Sequence, residues 1–154
     1  MDCPAGIEQG FKNAVAAAQE AILVTTPEVS SIRDADRVIG LLEASELHRP
    51  KLIINRINPG MVRDGNMMDR RDIVDLLAVD VLGLVPVDDR TITAANRGVP
   101  VVHDKKSAAG SAFLRIAARV DGDEVPLMEV EYKSSLMSRF KGLVGINGST
   151  YSHA

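Results

Sequence analysis

The sequence predicts an α/β fold in which a parallel sheet has helices on both faces. Short apolar stretches of strand length alternate with amphipathic helical patterns along most of the 154 residues. Strands that are apolar on both sides are typical of parallel sheets, because helices cover both faces of such sheets. The composition fits an ordinary globular domain, with 45% apolar residues, 25% charged residues and a formal net charge of −3.

Composition and charge also exclude several kinds of protein. The single cysteine, Cys3, excludes an internal disulfide framework, and the three scattered histidines lack the spacing of metal ligands. No apolar run reaches the roughly 18 residues that a membrane-spanning helix needs, and the first residues lack the layout of a signal peptide. Because the net charge is near zero, we expect no specific nucleic-acid partner.

A helix, a strand and a second helix are predicted in the first third of the chain. The strand is an apolar run that begins at Ala21 and stops at Pro27. Ser30 or Ser31 suits the N-cap of the second helix, and Ser31 with Asp34 has the spacing of a capping box. The apolar stripe of the first helix is Ile7, Phe11, Ala14, Val15 and Ala18, and that of the second is Ile32, Ala35, Ile39 and Leu42.

Two further strands are predicted in the middle of the chain, with a loop and a helix between them. The first covers residues 52–55, and the second begins at Val81 and ends at Pro86. The sequence Asn58-Pro59-Gly60 is a loop signal. The helix that follows this loop has the apolar residues Ile73, Leu76 and Leu77.

A short helix, an edge strand and a longer helix are predicted after the third strand. Residues 91–97 form the short helix, and Gly98 suits the position that follows its C-cap. Residues 100–102 are apolar and predict a short edge strand. The last helix is closed by Gly122, and its apolar stripe is Phe113, Ile116, Ala117 and Val120.

Beyond residue 120 the sequence changes character twice. Residues 121–132 contain five acidic residues without helical periodicity, which indicates an acidic linker, and residues 147–154 are predicted to be a disordered tail. Between them, residues 133–146 carry basic residues and one apolar stripe. A core helix, a disordered tail and an interfacial membrane helix would all fit this segment, and its place beyond the linker favours the membrane helix. Its stripe is Leu136, Met137, Phe140, Leu143 and Val144, flanked by Lys133, Arg139 and Lys141.

The start of the chain predicts an incomplete fold. Residues 2–6 have the acidic and Pro/Gly character of a loop at the carboxyl end of a strand, yet only Met1 precedes them. A parallel sheet that lacks its central strands would expose apolar edges and faces. We therefore expect residues 1–120 to be the C-terminal part of a domain whose N-terminal half is absent.

Five segments, in this order, carry a resemblance that covers residues 2–146. They are DCPAGIEQGF, TTPEVSSIRDADRVIGLL, NRINPGMV, GLVPVDD and the basic amphipathic segment. The chain resembles the MinD family of deviant Walker ATPases, which have the P-loop NTPase fold. This resemblance implies a peripheral ATPase on the inner membrane, in the cytoplasm or the plastid stroma. It also implies that the protein forms a homodimer with ATP and Mg²⁺ on anionic lipid, recruits a MinC-like division inhibitor and is released by a MinE-like protein.

The resemblance also implies roles for individual residues. Asp2 matches the Walker B aspartate, which holds Mg²⁺ through water, and Gly6 belongs to the switch loop that senses the γ-phosphate. The adenine pocket is placed at Asn55 and Arg56, and in the loop that contains Pro86, Val87 and Asp88. Relatives often carry Glu at the position of Val87, so a backbone contact is expected there. An Asn55 that only caps a loop is the alternative.

The partner surface implied by the resemblance lies on the second helix. On the sequence alone, a solvated helix surface is the favoured interpretation of this polar face, and only the resemblance favours a binding role. The membrane-binding residues implied by the resemblance are those of segment 133–146. The partner-binding residues are Glu28, Ser30, Arg33, Asp34 and Asp36.

One departure from the family limits the predicted activity. The 154 residues contain no GxxxxGK[ST] phosphate-binding loop, which we expect to lie upstream of residue 1. We therefore expect a septum site-determining protein that does not hydrolyse ATP unless the N-terminal half is supplied. One alternative is a non-catalytic fragment that binds membrane or partner and competes with the complete protein. The other is a ParA-type partition ATPase, which the amphipathic C-terminal segment and the lack of a basic surface disfavour.

Overall fold

A computed structural model describes residues 9–128, and they form a three-stranded parallel sheet with helices on both faces. The strands lie in the order β1-β2-β3, so the predicted fold class is confirmed. The elements are α1 (Gln9–Ala17), β1 (Ile22–Thr25), α2 (Val29–Ala44), β2 (Lys51–Ile57), α3 (Pro59–Arg63), α4 (Arg70–Leu77), β3 (Val81–Pro86), α5 (Arg90–Asn96), a 3₁₀ turn (Val101–His103) and α6 (Ala108–Val120).

Two apolar clusters hold this sheet between its helices. On one face, α2 and α4 pack on the central strand, where Leu52 and Ile54 are fully buried. On the other face, α6 packs on β3 through Ala109, Ala112 and Ile116. The alternation of side chains along each strand therefore supplies two separate cores, as expected for a parallel sheet.

Among residues 9–128, the strand β1 is covered on one face only. Its Leu23 packs against the α2 and α4 cluster, whereas Ile22 and Val24 point to the other face and are 47% and 57% exposed. In the register of the sheet, Val24 lies beside Ile53, which packs against the α6 cluster. Within residues 9–128, no strand lies on the outer side of β1. An apolar strand with an open edge and an open face is unusual, because such edges promote pairing with another chain.

The close contact between β3 and α6 depends on a glycine. A Cβ atom at Gly83 would lie 2.3 Å from Cγ1 and 2.6 Å from Cδ1 of Ile116. Gly83→Ala should therefore destabilise the fold by about 1–3 kcal/mol, because Ile116 must move in a packed core. Gly40→Ala is the matched control, since a Cβ at this position of α2 would meet nothing within 4 Å. Urea unfolding should show a lower midpoint for Gly83→Ala alone, and equal midpoints would contradict this account of the packing.

Several sequence predictions of local structure are wrong. The helix α2 begins at Val29 with Glu28 as N-cap, so neither Ser30 nor Ser31 caps it and the Ser31–Asp34 capping box does not form. The hydroxyl of Ser31 instead accepts a hydrogen bond of 2.9 Å from Thr26 Oγ1, which ties β1 to α2. Residues 100–102 enter a 3₁₀ turn, because His103 N donates to Pro100 O and Asp104 N donates to Val101 O.

Two apolar stripes and one loop also differ from the expectation. The buried face of α6 consists of Ala109, Gly110, Ala112 and Ile116, whereas Phe113 and Val120 are exposed. Leu76 in α4 is 61% exposed. The signal at 58–60 is the start of the short helix α3, in which Asn58 is the N-cap. By contrast, Gly98 and Gly122 have the expected positive φ angles, 64° and 101°, just after α5 and α6.

The chain after α6 lies against the domain up to the last described residue. Arg119 Nη1 donates to Leu82 O at 2.8 Å, Nε donates to Val125 O at 2.7 Å, and Nη2 donates to Pro126 O. Met128 packs against the cluster of β3 and α6. This part of the predicted acidic linker is therefore fixed to the first half of β3.

Candidate functional site

The predicted adenine-site residues lie at the carboxyl ends of two adjacent strands. Ile57 pairs with Pro86, and Val87 N donates a 3.0 Å hydrogen bond to Ile57 O, so the ends of β2 and β3 are tied together. The pairing register shifts between Ile54 and Ile57, where Asn55 and Arg56 lie. Ligands of open α/β sheets bind at this edge. The fold therefore brings both predicted segments to the same side of the sheet.

Arg56 has an unusual backbone conformation at this edge. Its φ is 59°, in the left-handed region, which costs a non-glycine residue about 1–2 kcal/mol. The Arg56 N–H donates a 2.9 Å hydrogen bond to Oδ1 of Asn55, so the carboxamide of Asn55 is held by the backbone of the next residue. Residues in such conformations cluster at binding sites. An Asn55 that only caps the loop would make the same hydrogen bond to Arg56 N. The contact between Asn55 and adenine therefore stays a prediction.

A cavity of about 800 Å³ opens beside this strand end. It lies between the start of α2, the ends of β2 and β3, and the loop that joins α3 to α4. Its lining is rich in methionine and carries the carboxylates of Glu28, Asp69 and Asp72 together with the guanidinium of Arg56. No pattern in the sequence indicates this cavity, although Met67 and Met68 lie between two helix caps. The methionines of the lining are Met61, Met67 and Met68.

Two helix caps position the loop that joins α3 to α4 and contains Met67 and Met68. Asn58 Oδ1 accepts hydrogen bonds from the N–H groups of Gly60 and Met61, at 2.9 and 3.2 Å. Asp69 and Asp72 form a capping box at the start of α4, with each side chain accepting from the other residue's N–H. The capping box fixes the end of the loop at α4, and Met67 Sδ accepts a hydrogen bond from Asn58 N, which joins the loop to the start of α3.

A second, smaller groove of about 320 Å³ lies between α2 and α4. Its apolar lining includes Val29 and Leu76, which are 59% and 61% exposed, together with Met68 of the larger cavity. Arg33 and Asp36 line it as well. An exposed apolar patch with charged residues around it is the usual composition of a binding surface.

The five predicted partner-binding residues are all exposed on or next to α2. Arg33 and Asp36 reach the groove, and Glu28 lines the large cavity. Asp34 Oδ1 lies 3.7 Å from Arg37 Nη1 in an exposed ion pair, and such a pair contributes little to stability. The structure thus places the predicted charged face next to apolar surface that the sequence analysis did not identify.

Asp88 is held by hydrogen bonds from three residues. Its carboxylate accepts from Ser107 Oγ at 2.6 Å, from Arg90 N at 2.9 Å and from Ala109 N at 3.2 Å. Chiefly the Ser107 hydroxyl, and also the backbone N–H groups, lower the pKa of Asp88 below its usual value. The side chain therefore joins the loop after β3 to the start of α6.

This lowered pKa predicts how stability depends on pH. A carboxyl group whose pKa is lower in the folded state stabilises the fold above its ordinary pKa, and that contribution is lost as the pH falls through the folded value. Asp88→Asn should therefore be less stable than the wild-type chain at pH 7, and the difference should shrink below about pH 4. Urea unfolding at several pH values checks this, with the exposed neighbour Asp89→Asn as control. A difference that does not change with pH would contradict it.

Several predicted functional residues lie outside the described residues. They are Asp2 and Gly6 at the start of the chain and all of segment 133–146. Among residues 9–128, no group of three acidic, histidine or cysteine side chains is arranged to hold a metal ion. The helices of this part are too short or too polar to cross a bilayer.

Comparison with known proteins finds relatives that are named as septum site-determining proteins. No protein-family model matches the chain. It is 50% identical over 143 residues to the septum site-determining protein MinD of Synechocystis sp., and 47% identical over 148 residues to that of Bacillus subtilis. These alignments cover 92% and 95% of this chain, but 54% and 55% of the relatives. The chain therefore spans about half the length of the curated relatives it matches.

Solved structures agree with the sequence comparison. MinD of Aquifex aeolicus, alone and in a MinC:MinD complex, is 47% identical with a TM-score of 0.78. The matches cover 82% and 81% of this chain and 53% and 51% of those chains. MinD of Pyrococcus horikoshii, complexed with Mg-ADP, is 31% identical with a TM-score of 0.68, over 79% of this chain and 49% of that one.

Proposed function

We propose a function from the premise that this chain is a MinD homologue that corresponds to about half the length of its relatives. In this proposal the chain supplies the adenine-recognition edge, the partner surface and the membrane anchor of a septum site-determining ATPase. Phosphate binding and hydrolysis need a further segment that carries the phosphate-binding loop. The relatives reported above are all named MinD, which favours this function over a partition ATPase.

The adenine edge is supported by the hydrogen-bonding groups that the end of β3 presents. Pro86 has no N–H, and the N–H of Val87 is already bonded to Ile57 O. The carbonyl groups are therefore what this turn can offer to a base. A carbonyl accepts a hydrogen bond from the 6-amino group of adenine and disfavours the 6-oxo group of guanine. A backbone contact at Val87 fits this arrangement, as the resemblance implies.

The large cavity is poorly suited to a polyphosphate. Among its lining residues, the carboxylates of Glu28, Asp69 and Asp72 outnumber the guanidinium of Arg56. Phosphate groups would be repelled there, whereas apolar and cationic side chains of a protein partner would be attracted. The methionines can adapt their shape to such side chains. We therefore assign the side of the cavity formed by α2, α4 and the loop before α4 to the partner surface, and only the base to its strand-end side, which Arg56 and Val87 line.

The observation that carries the partner surface is the exposed apolar patch on α2 and α4. Val29, Met68 and Leu76 form its apolar centre, and two of the charged residues predicted from the sequence, Arg33 and Asp36, line it as well. Interfaces of this kind bind through the apolar centre and gain specificity from the charged rim. We propose that MinC-like and MinE-like proteins share this surface. The known MinC:MinD complex of Aquifex aeolicus supports a MinC-like partner.

A binding experiment with the MinC protein of Aquifex aeolicus tests the partner surface. Leu76→Glu should weaken binding at least tenfold, because it places a charge in the apolar centre and costs more than about 1.4 kcal/mol. Leu76 is exposed, so the fold should tolerate the change. Glu43→Lys, on the exposed far end of α2, is the control and should bind as the wild-type chain does. Equal affinity for wild type and Leu76→Glu would contradict the assignment.

A further inference from the structure

The loop that follows β3 is linked to the start of α6 by two side chains that lie 19 residues apart in the chain. Ser107 is only 2% exposed and donates its hydroxyl hydrogen to Asp88 Oδ2 at 2.6 Å. The same hydroxyl oxygen accepts a 2.9 Å hydrogen bond from Gly110 N, as the N-cap of α6. One buried hydroxyl therefore caps α6 and also binds the loop that follows β3.

Asp88 connects to the rest of this region through its other bonds. Its Oδ2 also accepts from Ala109 N in the first turn of α6, where a carboxylate is stabilised by the helix dipole. Its Oδ1 accepts from Arg90 N, and its carbonyl accepts from Thr91 Oγ1 at 2.6 Å. Every oxygen of Asp88 thus has a partner within the protein. A residue bonded in this way is fixed in place and has little freedom to follow a ligand.

Three more contacts fix the same region from the other side. Arg90 Nη1 lies 2.7 Å from Asp104 Oδ2, and Ser107 N donates to Asp104 O at 2.9 Å. Gly110 packs so closely on Val101 that an added Cβ would lie 2.6 Å from the carbonyl oxygen of Val101. The 3₁₀ turn and α6 therefore form a firm support for Asp88.

We propose that Asp88 and Ser107 form a brace that positions the Pro86–Val87 turn, and that Asp88 is a positioning residue for the adenine base rather than a contact to it. This inference rests on the proposed function, in which that turn meets the base. Val87 is held on one side by Ile57 O and on the other by the braced Asp88. The brace sets the direction of the turn's carbonyl groups without touching the nucleotide.

Hydrogen exchange on the chain itself tests the brace. Ser107→Ala and Asp88→Asn should each speed exchange of the Val87 amide about tenfold, because each disrupts the hydrogen bonding between Asp88 and Ser107 and lets the turn open locally. Amides of Ile53 and Ile54 in the middle of β2 should keep their wild-type rates. Asp89→Asn is the control, since this exposed neighbour makes no side-chain bond to α5. A Val87 rate unchanged in Ser107→Ala would overturn the brace.

Nucleotide affinity distinguishes positioning from contact. The measurement uses the chain combined with the part of the Bacillus subtilis relative that it does not span, with ADP and GDP as ligands. Positioning predicts that Ser107→Ala and Asp88→Asn each weaken ADP binding on the order of tenfold, reduce the preference for ADP over GDP and are not additive. A contact predicts that Asp88→Asn alone weakens binding, which would overturn the proposal. If the wild-type combination binds no ADP, the proposed function fails, and hydrogen exchange still decides whether the brace exists.

Discussion

Combined with the N-terminal part of the Bacillus subtilis relative, the chain should hydrolyse ATP, whereas alone it should show no turnover above background. Phosphoryl transfer depends on the phosphate-binding loop, its lysine and Mg²⁺, which together position the phosphates and neutralise their charge. The 154 residues contain no such loop, and the charged groups that line the cavity beside the strand ends are three carboxylates and one guanidinium. The expected gain on combination is on the order of a thousandfold or more.

Two variants make this experiment specific. Asp2→Ala should abolish the turnover of the combination, because Asp2 is the proposed Walker B carboxylate. Gly40→Ala, which meets no neighbouring atom, should leave the turnover unchanged and controls for handling of the protein. Turnover by the chain alone, at a rate that Asp2→Ala abolishes, would contradict the proposal that hydrolysis needs the second part.

Phe140→Glu or Leu143→Glu should abolish binding of the chain to anionic lipid vesicles. Both residues belong to the apolar stripe of segment 133–146, and a charge there opposes entry into the acyl region. Lys133, Arg139 and Lys141 each add about 1 kcal/mol on an anionic surface, so raised salt should weaken binding. One copy should bind weakly and reversibly, and a dimer that presents two copies should bind much more tightly.

Vesicle co-sedimentation measures this effect with a matched control. Ser138→Glu adds the same charge on the opposite side of the predicted helix, and it should reduce binding far less. The far-UV circular dichroism of both apolar-face variants should match that of the wild-type chain, since the change lies outside the α/β domain. Unchanged sedimentation in both Phe140→Glu and Leu143→Glu would mean that this segment is not the anchor.

The parts of the fold that follow from local pattern were predictable from the sequence. The three strands are short runs with few polar residues, and the stripe of α2 gives four of its buried residues correctly. Gly98 and Gly122 end helices because glycine adopts positive φ without strain. The same strand ends that the resemblance assigned to adenine are neighbours in the structure, since parallel strands share one carboxyl edge.

The features that depend on distant contacts were not predictable. Ser31 has the local spacing of a cap, but its hydroxyl is taken by Thr26 of the preceding strand end. The hydrogen bond from Ser107 to Asp88 joins residues that lie 19 positions apart, so no local pattern indicates it. Phe113 and Leu76 are exposed because a different side of each helix packs against the sheet. Periodicity alone does not determine which side that is. These outcomes were decided by tertiary packing.

Hydrogen exchange of β1 tests most directly the claim that the chain is part of a larger MinD-type sheet. Ile22 and Val24 are exposed, and within the described residues the outer edge of β1 has no neighbouring strand. If the N-terminal part of the Bacillus subtilis relative completes the sheet, the amides of residues 22–25 should exchange at least about tenfold more slowly in the combination than in the chain alone. Rates that stay the same in a combination shown to form a complex would contradict the claim.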